Sequence, residues 1–463
     1  MSTDQQASPL EADLAIVGFG KGGKTLAGVL GKQGWRVVMI EQSSSMYGGT
    51  CINTGCVPTK SMVFHAEHLD AAKSQPNQFS DAVAATARLT ASLRWINYAT
   101  LDQIETVTVL TGHARFLDPH TMHVASIDGF TVRVSARWVV VDTGSRPVLP
   151  PIPGLSNTSG VYTSTELLSH AELPPRLTVL GGGYIGLEFA AMYAAYGSKV
   201  TVVEHGPRIL RQEDDDVAGC ARDILTGHGI VIATSARATA VSSNADGAVT
   251  VSYQIEDATH AVEGDAVLVA TGRRPATGEL ALDAAGVHTS AAGAIVVDEY
   301  LRTSQRHIFA IGDVNGGPQF TYISLDDYRV VLSQLAGDRL RNITARAAVP
   351  YTLFMTPPLA RVGLTEKSAR QVSAIKVAAM RVADMTTMPR ARIVGQEAGM
   401  MKLVVDADTD KILGAALLSY DSHEVINTVA LAMRHGITGR ELRDSIYTHP
   451  SMTEGFNQLL TAL

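Results

Sequence analysis

The sequence predicts an α/β fold made of repeated βαβ units, followed by a separate α+β domain. Residues 14–41 and residues 177–204 each show a strand, a glycine-rich turn, a helix and a second strand that ends in an acid. From about residue 350, extended proline-containing segments and amphipathic helices replace this alternation, which is typical of an α+β domain. A chain of 463 residues is also long enough for several domains.

The composition is that of an ordinary globular protein. Hydrophobic residues make up 46% and charged residues 18% of the chain, and its net charge of −7 gives no reason to expect a nucleic acid or an anionic membrane as partner. Residues 1–12 are polar, and no run of about 18 apolar residues lacks a charge. We therefore expect a polar N-terminal tail, no signal peptide and no membrane span. Only three cysteines in so long a chain favour a reducing, cytoplasmic compartment.

The first repeat has the full pattern of a Rossmann-like dinucleotide site. An apolar strand leads into Gly18, Gly20 and Gly23, a helix follows, and the next strand ends in Glu41. Glycines permit a tight turn and a close approach to a pyrophosphate, and the acid binds ribose hydroxyls. The alternative is an ordinary glycine-rich turn.

The second repeat predicts a second dinucleotide. Its glycines are Gly181, Gly183 and Gly186, and its second strand ends in Glu204. Two such sites in one chain usually hold a tightly bound flavin and an exchangeable nicotinamide. A carboxylate repels a 2′-phosphate, so Glu204 favours NADH slightly over NADPH, although Arg208 and Arg211 nearby weaken that preference.

Three further strands end in turns that we expect to face the ligand. Thr143-Gly144 and Gly272 follow apolar runs of similar shape, and Asp313 follows a third. We expect these strands to return to the first sheet, with Asp313 facing the ligand crevice. The alternative for Asp313 is a helix N-cap.

Two cysteines stand five positions apart just after the first repeat, within residues 48–60. In a regular helix, Cys51 and Cys56 would point about 140° apart. Gly55 and Pro58 favour a distorted turn that brings the sulfurs together. Cys56 would then lie near a helix N-terminus, which favours a thiolate. The pattern predicts a redox-active disulfide.

Two alternatives remain open for this pair. Cys51 and Cys56 could bind zinc with His65 and His68, although the spacing is longer than in usual structural zinc sites. They could also be ordinary buried thiols. Cys220, the third cysteine, is expected to be a buried helix residue. We expect no resident metal.

A histidine near the C-terminus is a candidate acid/base. Pro450 restricts the backbone after His449, and Glu454 could orient the imidazole. A structural histidine is the alternative.

Taken together, these motifs resemble the flavoprotein disulfide reductases, which include glutathione reductase, lipoamide dehydrogenase and mercuric reductase. The resemblance extends from Asp13 to the C-terminus. Longer strings, such as FGKGGKTLA from Phe19 and FMTPPLARVG from Phe354, resemble the reactive-chlorine-resistance flavoproteins. Defence against oxidised halogen species, with reduction of hypothiocyanous acid or Cu(II), has been ascribed to that subfamily.

The resemblance implies a glutathione-reductase-like, homodimeric architecture. It places an FAD-binding domain at residues 13–155 and 276–347, an NAD(P)-binding domain at 156–275, and an interface domain at 348–463. The residues that it implies for FAD are Gly18, Gly20, Gly23, Glu41, Gly49, Thr50, Lys60, Thr143, Gly144 and Asp313. Those that it implies for NAD(P) are Gly181, Gly183, Tyr184, Ile185, Gly186, Glu204 and Gly272.

The resemblance also implies roles for the reactive residues. Cys51 would be the interchange thiol that meets substrate, and Cys56 the thiolate against the flavin. Lys60 and Glu188 would pair beside the flavin, and Tyr184 would cover the nicotinamide pocket. His449, oriented by Glu454, would act as acid/base on Cys51 of a second subunit.

The motifs and the resemblance are compatible with three functions. The first is an NAD(P)H-dependent reductase of a small oxidant or of Cu(II). The second is a lipoamide dehydrogenase or mercuric reductase. Lipoamide dehydrogenases usually carry His where Tyr447 stands, and mercuric reductases add a C-terminal cysteine pair that has no counterpart here. The third, from another class, is a flavin redox sensor without turnover.

Overall fold

The computed structural model describes residues 9–126, 129–244 and 246–463. In chain order, the strands are β1 (Leu10–Val17), β2 (Val37–Glu41), β3 (Val107–Thr111), β4 (His113–Phe116), β5 (Thr121–Ala125), β6 (Thr131–Val141), β7 (Ser145–Pro147), β8 (Val161–Thr163), β9 (Arg176–Leu180), β10 (Lys199–Val203), β11 (Val231–Ala233), β12 (Arg237–Ser243), β13 (Val249–Ile255), β14 (Ala258–Gly264), β15 (Ala266–Val269), β16 (Arg273–Pro275), β17 (Ile308–Ala310), β18 (Tyr351–Leu353), β19 (Leu359–Gly363), β20 (Ile375–Arg381), β21 (Met400–Asp406) and β22 (Ile412–Leu418). The α-helices are α1 (Lys21–Lys32), α2 (Thr50–Asn53), α3 (Cys56–Glu67), α4 (Gln75–Asp102), α5 (Ser164–Leu167), α6 (Tyr184–Ala195), α7 (Asp215–Gly227), α8 (Thr321–Ala336), α9 (Glu366–Ala369), α10 (Pro389–Ile393), α11 (Ser422–Arg434), α12 (Gly439–Asp444) and α13 (Gly455–Leu459).

The chain divides into two compact units. The first comprises the residues up to Met62, Asp81–Val148 and Gly272–Ala345, and the second comprises Val63–Ser80, Leu149–Thr271 and Arg346–Leu463. The second unit thus contains most of both the expected NAD(P)-binding domain and the expected interface domain.

A mostly parallel sheet forms the centre of the first unit, with strand order β3-β2-β1-β6-β5-β4 and with β17 also paired to β6. Strands β1, β2, β3, β6 and β17 are paired in parallel, and β4 and β5 extend the sheet antiparallel. Strands of a parallel sheet are buried on both faces and form continuous apolar runs, and every residue of β2 is buried. The carboxyl ends of the parallel strands meet at one edge, where the glycine turns follow them.

The first strand begins earlier than the sequence predicted. Leu10 and Ala12 pair with Val134 and Ala136 of the long strand β6, so residues 10–12 belong to β1 and not to a tail. The ladder with β6 satisfies the backbone there and buries Ala12. Residues 1–8 of the expected tail lie outside the described residues.

The second unit contains its own parallel sheet, ordered β11-β10-β9-β15-β8. The apolar run before Gly272, which contains Val267, was expected to return to the first sheet. This expectation is wrong, because the run forms β15, which pairs with β9 and β8. Its resemblance to the end of β6 arises because each strand pairs in parallel with the strand that leads into a glycine motif, β15 with β9 and β6 with β1. An antiparallel sheet of β12, β13 and β14 lies within this region.

The C-terminal part of the second unit is the expected α+β structure. Its antiparallel sheet has the order β18-β19-β22-β21-β20. Helix α11 buries Val425, Ile426 and Val429 in one apolar cluster with strand residues such as Val362 and Leu417. None of the described helices combines the length and the apolar character needed to cross a membrane.

Candidate active site

The segment that carries the cysteine pair forms two helices with a break between them. Helix α2 ends at Asn53, Thr54 has φ −141° and ψ 6°, and α3 begins at Cys56. This is the distortion predicted from Gly55. It brings the Cys51 and Cys56 thiols into hydrogen-bonding contact although they stand five positions apart.

The neighbouring sulfur raises the pKa of Cys51. The hydrogen bond to Cys56 is the largest cause, burial is the next, and the charge of Cys56 is the third; Thr321 and Lys24 oppose them. The Cys56 Sγ also lies 3.6 Å from the Thr321 Oγ1. Cys56 itself lies at the N-terminus of the twelve-residue helix α3, where the helix dipole favours a negative charge.

The alternatives for the pair gain little support. Both cysteines are free thiols, Cys51 half-buried and Cys56 exposed, so neither is an ordinary buried thiol. Within the described ranges, no group of three or more His, Cys, Asp or Glu side chains could hold a metal ion, so nothing favours zinc. Exposure alone does not place Cys51 on the substrate side, and its role as the interchange thiol stays a prediction.

The acid of the first glycine motif is held against that motif. Glu41 Oε2 accepts the backbone N–H of Phe19 at 2.9 Å, and Oε1 accepts that of Ser43 at 3.4 Å. Burial raises the pKa of Glu41. The carboxylate thus lies beside the glycine turn at the end of β2, where a ribose acid is expected.

The cysteine segment packs directly on the same turn. Gly49 has φ +78°, and a Cβ on it would lie 2.9 Å from the Cα of Gly20. A Cβ on Gly144 would have only Thr50 Oγ1 within 4 Å, at 3.8 Å. Glycine backbone packed this closely at the N-terminus of α1, with an acid beside it, fits the pyrophosphate and ribose of a dinucleotide.

Sequence reasoning missed a buried carboxyl at this site. Asp142 follows β6, accepts the backbone N–H of Gly23 at 2.7 Å, and has a pKa raised well above its usual value. Burial is the main cause, and the charges of Asp327 and Asp313 add to it. The sequence does carry a signal for Asp142: it is an acid at the carboxyl end of an apolar strand, as Glu41 is at the end of β2.

Lys24 was also missed. Its ammonium group donates to the side chain of Asn97 and to the backbone oxygen of Gly48, the latter at 3.4 Å. Burial, with a smaller effect of Lys21, lowers the pKa of Lys24 to about 8. The sequence signal was a lysine directly after the last glycine of the motif.

The remaining residues predicted for the flavin lie in the first unit. Asp313 Oδ2 accepts the hydroxyl of Ser145 at 2.7 Å and lies inside the 3-10 helix Gly312–Asn315, so the N-cap alternative does not hold. The Thr143 hydroxyl donates to the backbone oxygen of Ala276 at 2.8 Å.

Gly272 is the first residue of the last stretch of the first unit, and its expected role at the NAD(P) site stays a prediction. Its backbone oxygen accepts the N–H of Val148 at 2.9 Å. The residues after it form β16, which pairs antiparallel with β7. The third stretch of the first unit thus begins at Gly272, four residues ahead of the expected residue 276.

In the second unit, Glu204 repeats the arrangement of Glu41. Its two carboxylate oxygens accept the backbone N–H groups of Gly182 and Gly206, each at 2.6 Å. Gly183 precedes the first residue of α6, and a Cβ on it would have nothing within 4 Å. Open space at the N-terminus of a twelve-residue helix fits a second pyrophosphate.

Tyr184 and Ile185, the first residues of α6, lie at this end. The phenol of Tyr184 contacts Glu213 and Tyr351, and Arg361 pairs with the same Glu213 carboxylate. No local pattern in the sequence predicts this cluster.

Glu188 lies one helical turn further along α6. It is buried, and its Oε2 accepts the backbone N–H of Phe354 at 3.2 Å. Lys60 lies on α3 in the first unit. Their pairing stays a prediction.

The C-terminal pair has the expected local geometry. The Nδ1 of His449 lies 2.8 Å from the Oε2 of Glu454, while Oε1 accepts the backbone N–H of Ser451 at 2.9 Å. The imidazole is 69% exposed and the carboxylate 13% exposed. The reach of His449 to a partner subunit stays a prediction.

Cys220 is buried in α7, as expected. Unexpectedly, the Nη1 of Arg381 donates to its Sγ at 3.0 Å. Burial raises the pKa of Cys220 and the Arg381 charge opposes this.

Comparisons with known proteins agree over nearly the whole chain. A family model described as pyridine nucleotide-disulphide oxidoreductase matches residues 12–327, and the model of the dimerisation domain of that family matches residues 349–460. The chain is 45% identical to the probable pyridine nucleotide-disulfide oxidoreductase RclA of Escherichia coli (strain K12), over 96% of this chain and 98% of that protein. It is 33% identical to a mercuric reductase of Staphylococcus aureus, over 96% of this chain and 81% of that protein.

A solved structure is similar throughout. It is described as the Cu(II) complex of the HOCl-induced flavoprotein disulfide reductase RclA from Escherichia coli. It shares 44% identity with this chain at a TM-score of 0.91, covering 97% of this chain and 99% of that one.

Proposed function

Because this chain belongs to the pyridine nucleotide-disulphide oxidoreductase family, we propose that it is an FAD-dependent NAD(P)H oxidoreductase that reduces a small oxidant. The oxidant is hypothiocyanous acid or a related reactive halogen species, or Cu(II). The observation that carries the proposal is the contact between the Cys51 and Cys56 thiols at the start of α3. The similarity to RclA supports the class of oxidant.

The residues present fit both dinucleotides of this family. In the proposal, FAD is held by the first glycine motif and Glu41, with Gly49, Thr50, Lys60, Thr143, Gly144 and Asp313. The nicotinamide nucleotide is held by the second motif, with Tyr184, Ile185, Glu204 and Gly272. When bound, these groups supply two electrons from NAD(P)H to the cysteine pair.

The reduced pair of Cys51 and Cys56 then reduces the oxidant. The Cys51 thiolate attacks the electrophilic sulfur of hypothiocyanous acid and forms a sulfenyl thiocyanate, while the hydroxyl leaves as water after taking a proton. The Cys56 thiolate attacks Cys51, displaces thiocyanate and closes the disulfide. Two thiols and hypothiocyanous acid thus become a disulfide, thiocyanate, water and a proton.

His449 supplies that proton in the proposal. Its contact with Glu454 holds the ring in one orientation, and general acid catalysis needs such a positioned donor. The site is proposed to be completed across a homodimer, which the match to a dimerisation domain supports.

Cu(II) is the other proposed oxidant. Oxidation of the two thiols to a disulfide would reduce two Cu(II) to Cu(I) and release two protons. The Cu(II) complex of an RclA supports this choice. Thiolates are soft ligands that favour the Cu(I) product.

The domain assignment and compartment remain part of the proposal. We propose FAD binding by residues 13–155 and 276–347, with the later boundary moved to about Gly272. Residues 156–275 bind NAD(P), and residues 348–463 form the interface. We propose a cytoplasmic location because a reducing compartment keeps the cysteine pair available for turnover.

A substrate panel on the purified, FAD-loaded protein tests the proposal. Sustained NADH or NADPH oxidation is measured with hypothiocyanous acid, Cu(II), Hg(II), lipoamide and oxidised glutathione. Turnover with hypothiocyanous acid or Cu(II), and not with the last two, supports the proposal. Turnover with lipoamide or Hg(II) alone favours the second candidate. A single reduction by NADH without turnover favours a redox sensor.

A further inference from the structure

A buried carboxyl group lies between two glycine turns of the first unit. Asp142 is 6% exposed, and its Oδ2 accepts the backbone N–H of Gly23 at 2.7 Å. A Cβ on Gly20 would overlap this carboxyl group. On the other side, a Cβ on Gly312 would lie 3.1 Å from Asp142 Oδ1. One side chain thus lies against both the turn that follows β1 and the turn that follows β17.

The second glycine motif is built without such a carboxyl group. A Cβ on Gly18 would meet the backbone oxygen of Asp142. A Cβ on Gly181 would meet the backbone oxygen of Ala270 in the same way. Ala270 follows β15 as Asp142 follows β6, so the two residues hold equivalent positions in the two sites. Because an alanine is enough in the second site, the carboxyl group is a feature of the first site and not a requirement of the turn.

The surroundings of Asp142 disfavour a negative charge on it. Asp327 is fully buried and accepts the backbone N–H of Gly312 at 2.7 Å, so it brings a second carboxyl group to the same turn. Burial is the main cause that raises the pKa of Asp142, and the charges of Asp327 and Asp313 add to it. The charge of Lys24 opposes the rise and is the smallest of these effects. Two buried carboxylates beside one pyrophosphate would repel it and each other.

We propose that Asp142 is held as a neutral carboxylic acid, and that in this form it ties the first glycine turn to the Gly312 turn without placing a charge beside the FAD pyrophosphate. The inference rests on the proposed function, in which FAD binds at the first glycine motif. Asp142 acts as a positioning residue, because its Oδ2 accepts the N–H of Gly23 while the proton removes the charge. An ionised Asp142 would hold the same turn but repel the pyrophosphate, which would cost about tenfold or more in affinity at the effective dielectric constant of a protein.

Infrared spectra of the FAD-loaded protein at neutral pH test the protonation state directly. The spectrum of Asp142→Asn is subtracted from that of the unaltered protein. We expect the difference to contain the carbonyl stretch of a protonated carboxyl group, which a merely structural role would not require. Asp283→Asn, at an exposed carboxyl group of the same unit, is the matched control and should remove carboxylate bands instead. Loss of carboxylate bands in Asp142→Asn would overturn the inference.

Fluorescence titration of the flavin-free full chain with FAD measures the consequence for the cofactor. Asp142→Asn keeps a neutral group of the same shape, so its Kd at neutral pH should equal that of the unaltered protein. The Kd of Asp283→Asn should also be unchanged. Asp142→Leu removes the acceptor for Gly23, and its Kd should rise roughly twofold to tenfold, the value of one neutral hydrogen bond.

Three results of this titration count against the neutral acid. A lower Kd in Asp142→Asn would reveal a charged carboxyl group, and a higher Kd would show that a neutral group is not enough. An unchanged Kd in Asp142→Leu would show that the tie is not needed. If the unaltered protein binds no FAD, the proposed function fails and the inference fails with it. If it binds FAD and any of the three results is found, the inference alone fails.

Discussion

Glu454 contacts the Nδ1 of His449 and not the Nε2 that the proposed acid/base role uses. A carboxylate 2.8 Å from Nδ1 favours the proton on that nitrogen and leaves Nε2 to exchange a proton with a reacting group. The other carboxylate oxygen is fixed by the backbone N–H of Ser451. The pair is therefore built to orient an exposed imidazole.

We expect His449→Ala to slow oxidation of the dithiol by about 10²- to 10⁴-fold, the usual contribution of a general acid. Glu454→Gln should slow the same step less, because the imidazole remains. Reduction by NADH should stay close to normal in both, since no proton from His449 enters that step. Rapid mixing separates the two half-reactions. Glu397→Gln, at a surface pair with Arg392, is the control. Equal slowing of both half-reactions would contradict the role.

Cys51→Ser should abolish oxidant turnover while FAD stays bound, since the glycine motif and Glu41 are untouched. Cys56→Ser should also abolish turnover, because no disulfide can close. The wild-type protein should show a long-wavelength absorbance band after reduction that is lost in Cys56→Ser. Steady-state oxidation of NADH and the visible spectrum measure these outcomes. Cys220→Ser is the control: it keeps an acceptor for Arg381 and should retain turnover. Turnover by Cys51→Ser would refute the assignment.

The lowered pKa of Lys24 predicts that the free energy of unfolding of the flavin-free protein depends on pH. Its pKa is about 8 in the folded chain, against an ordinary value of 10.5. Between these values the unfolded chain binds more protons, so the free energy of unfolding rises with pH across this window. Lys24→Met should lack this contribution to the slope, as followed by urea unfolding at several pH values. Lys32→Met, at the exposed end of α1, should keep it. Identical slopes in the two variants would be evidence against the buried ammonium.

The sequence revealed what depends on neighbours along the chain and missed what depends on distant contacts. The glycine motifs, Glu41, Glu204 and the distorted turn at Gly55 are local, so spacing was enough. Asp142 reaches a glycine 119 positions away, and Arg361 reaches a glutamate 148 positions away. Such contacts need the sheet order, which strand patterns alone do not give. For the same reason Val267 was placed in the wrong sheet, and β1 was begun four residues late.

The loop after β10 predicts the coenzyme preference. The guanidinium of Arg208 is held by contacts within the protein. It donates to the backbone oxygens of Arg211 and Glu213 and pairs with Asp215 at 3.2 Å. Arg211 is exposed, and its side chain lies over Gly206, next to Glu204. It is the arginine better placed to meet a 2′-phosphate.

We therefore expect a higher kcat/KM with NADH than with NADPH, because Glu204 repels the added phosphate. Arg211→Ala should lower kcat/KM for NADPH by about tenfold, the loss of one charge-assisted contact, and should leave the value for NADH nearly unchanged. Steady-state kinetics with both coenzymes measure the ratio. Arg237→Ala, in β12, is the control. An equal loss for both coenzymes would remove Arg211 from coenzyme selection.

The ion pair of Arg361 and Glu213 predicts a large effect on stability. Removal of one member leaves a buried charge unpaired, so Arg361→Ala should lower the free energy of unfolding by about 3–5 kcal/mol. Arg392→Ala breaks a pair whose side chains are 52% and 46% exposed, and it should cost no more than about 1 kcal/mol. Urea unfolding of the FAD-loaded variants gives both values. Adding Glu213→Gln to Arg361→Met should recover part of the loss of Arg361→Met alone, because no unpaired charge then remains. Similar costs at the buried and the exposed pair would contradict the expected penalty for an unpaired buried charge at Glu213.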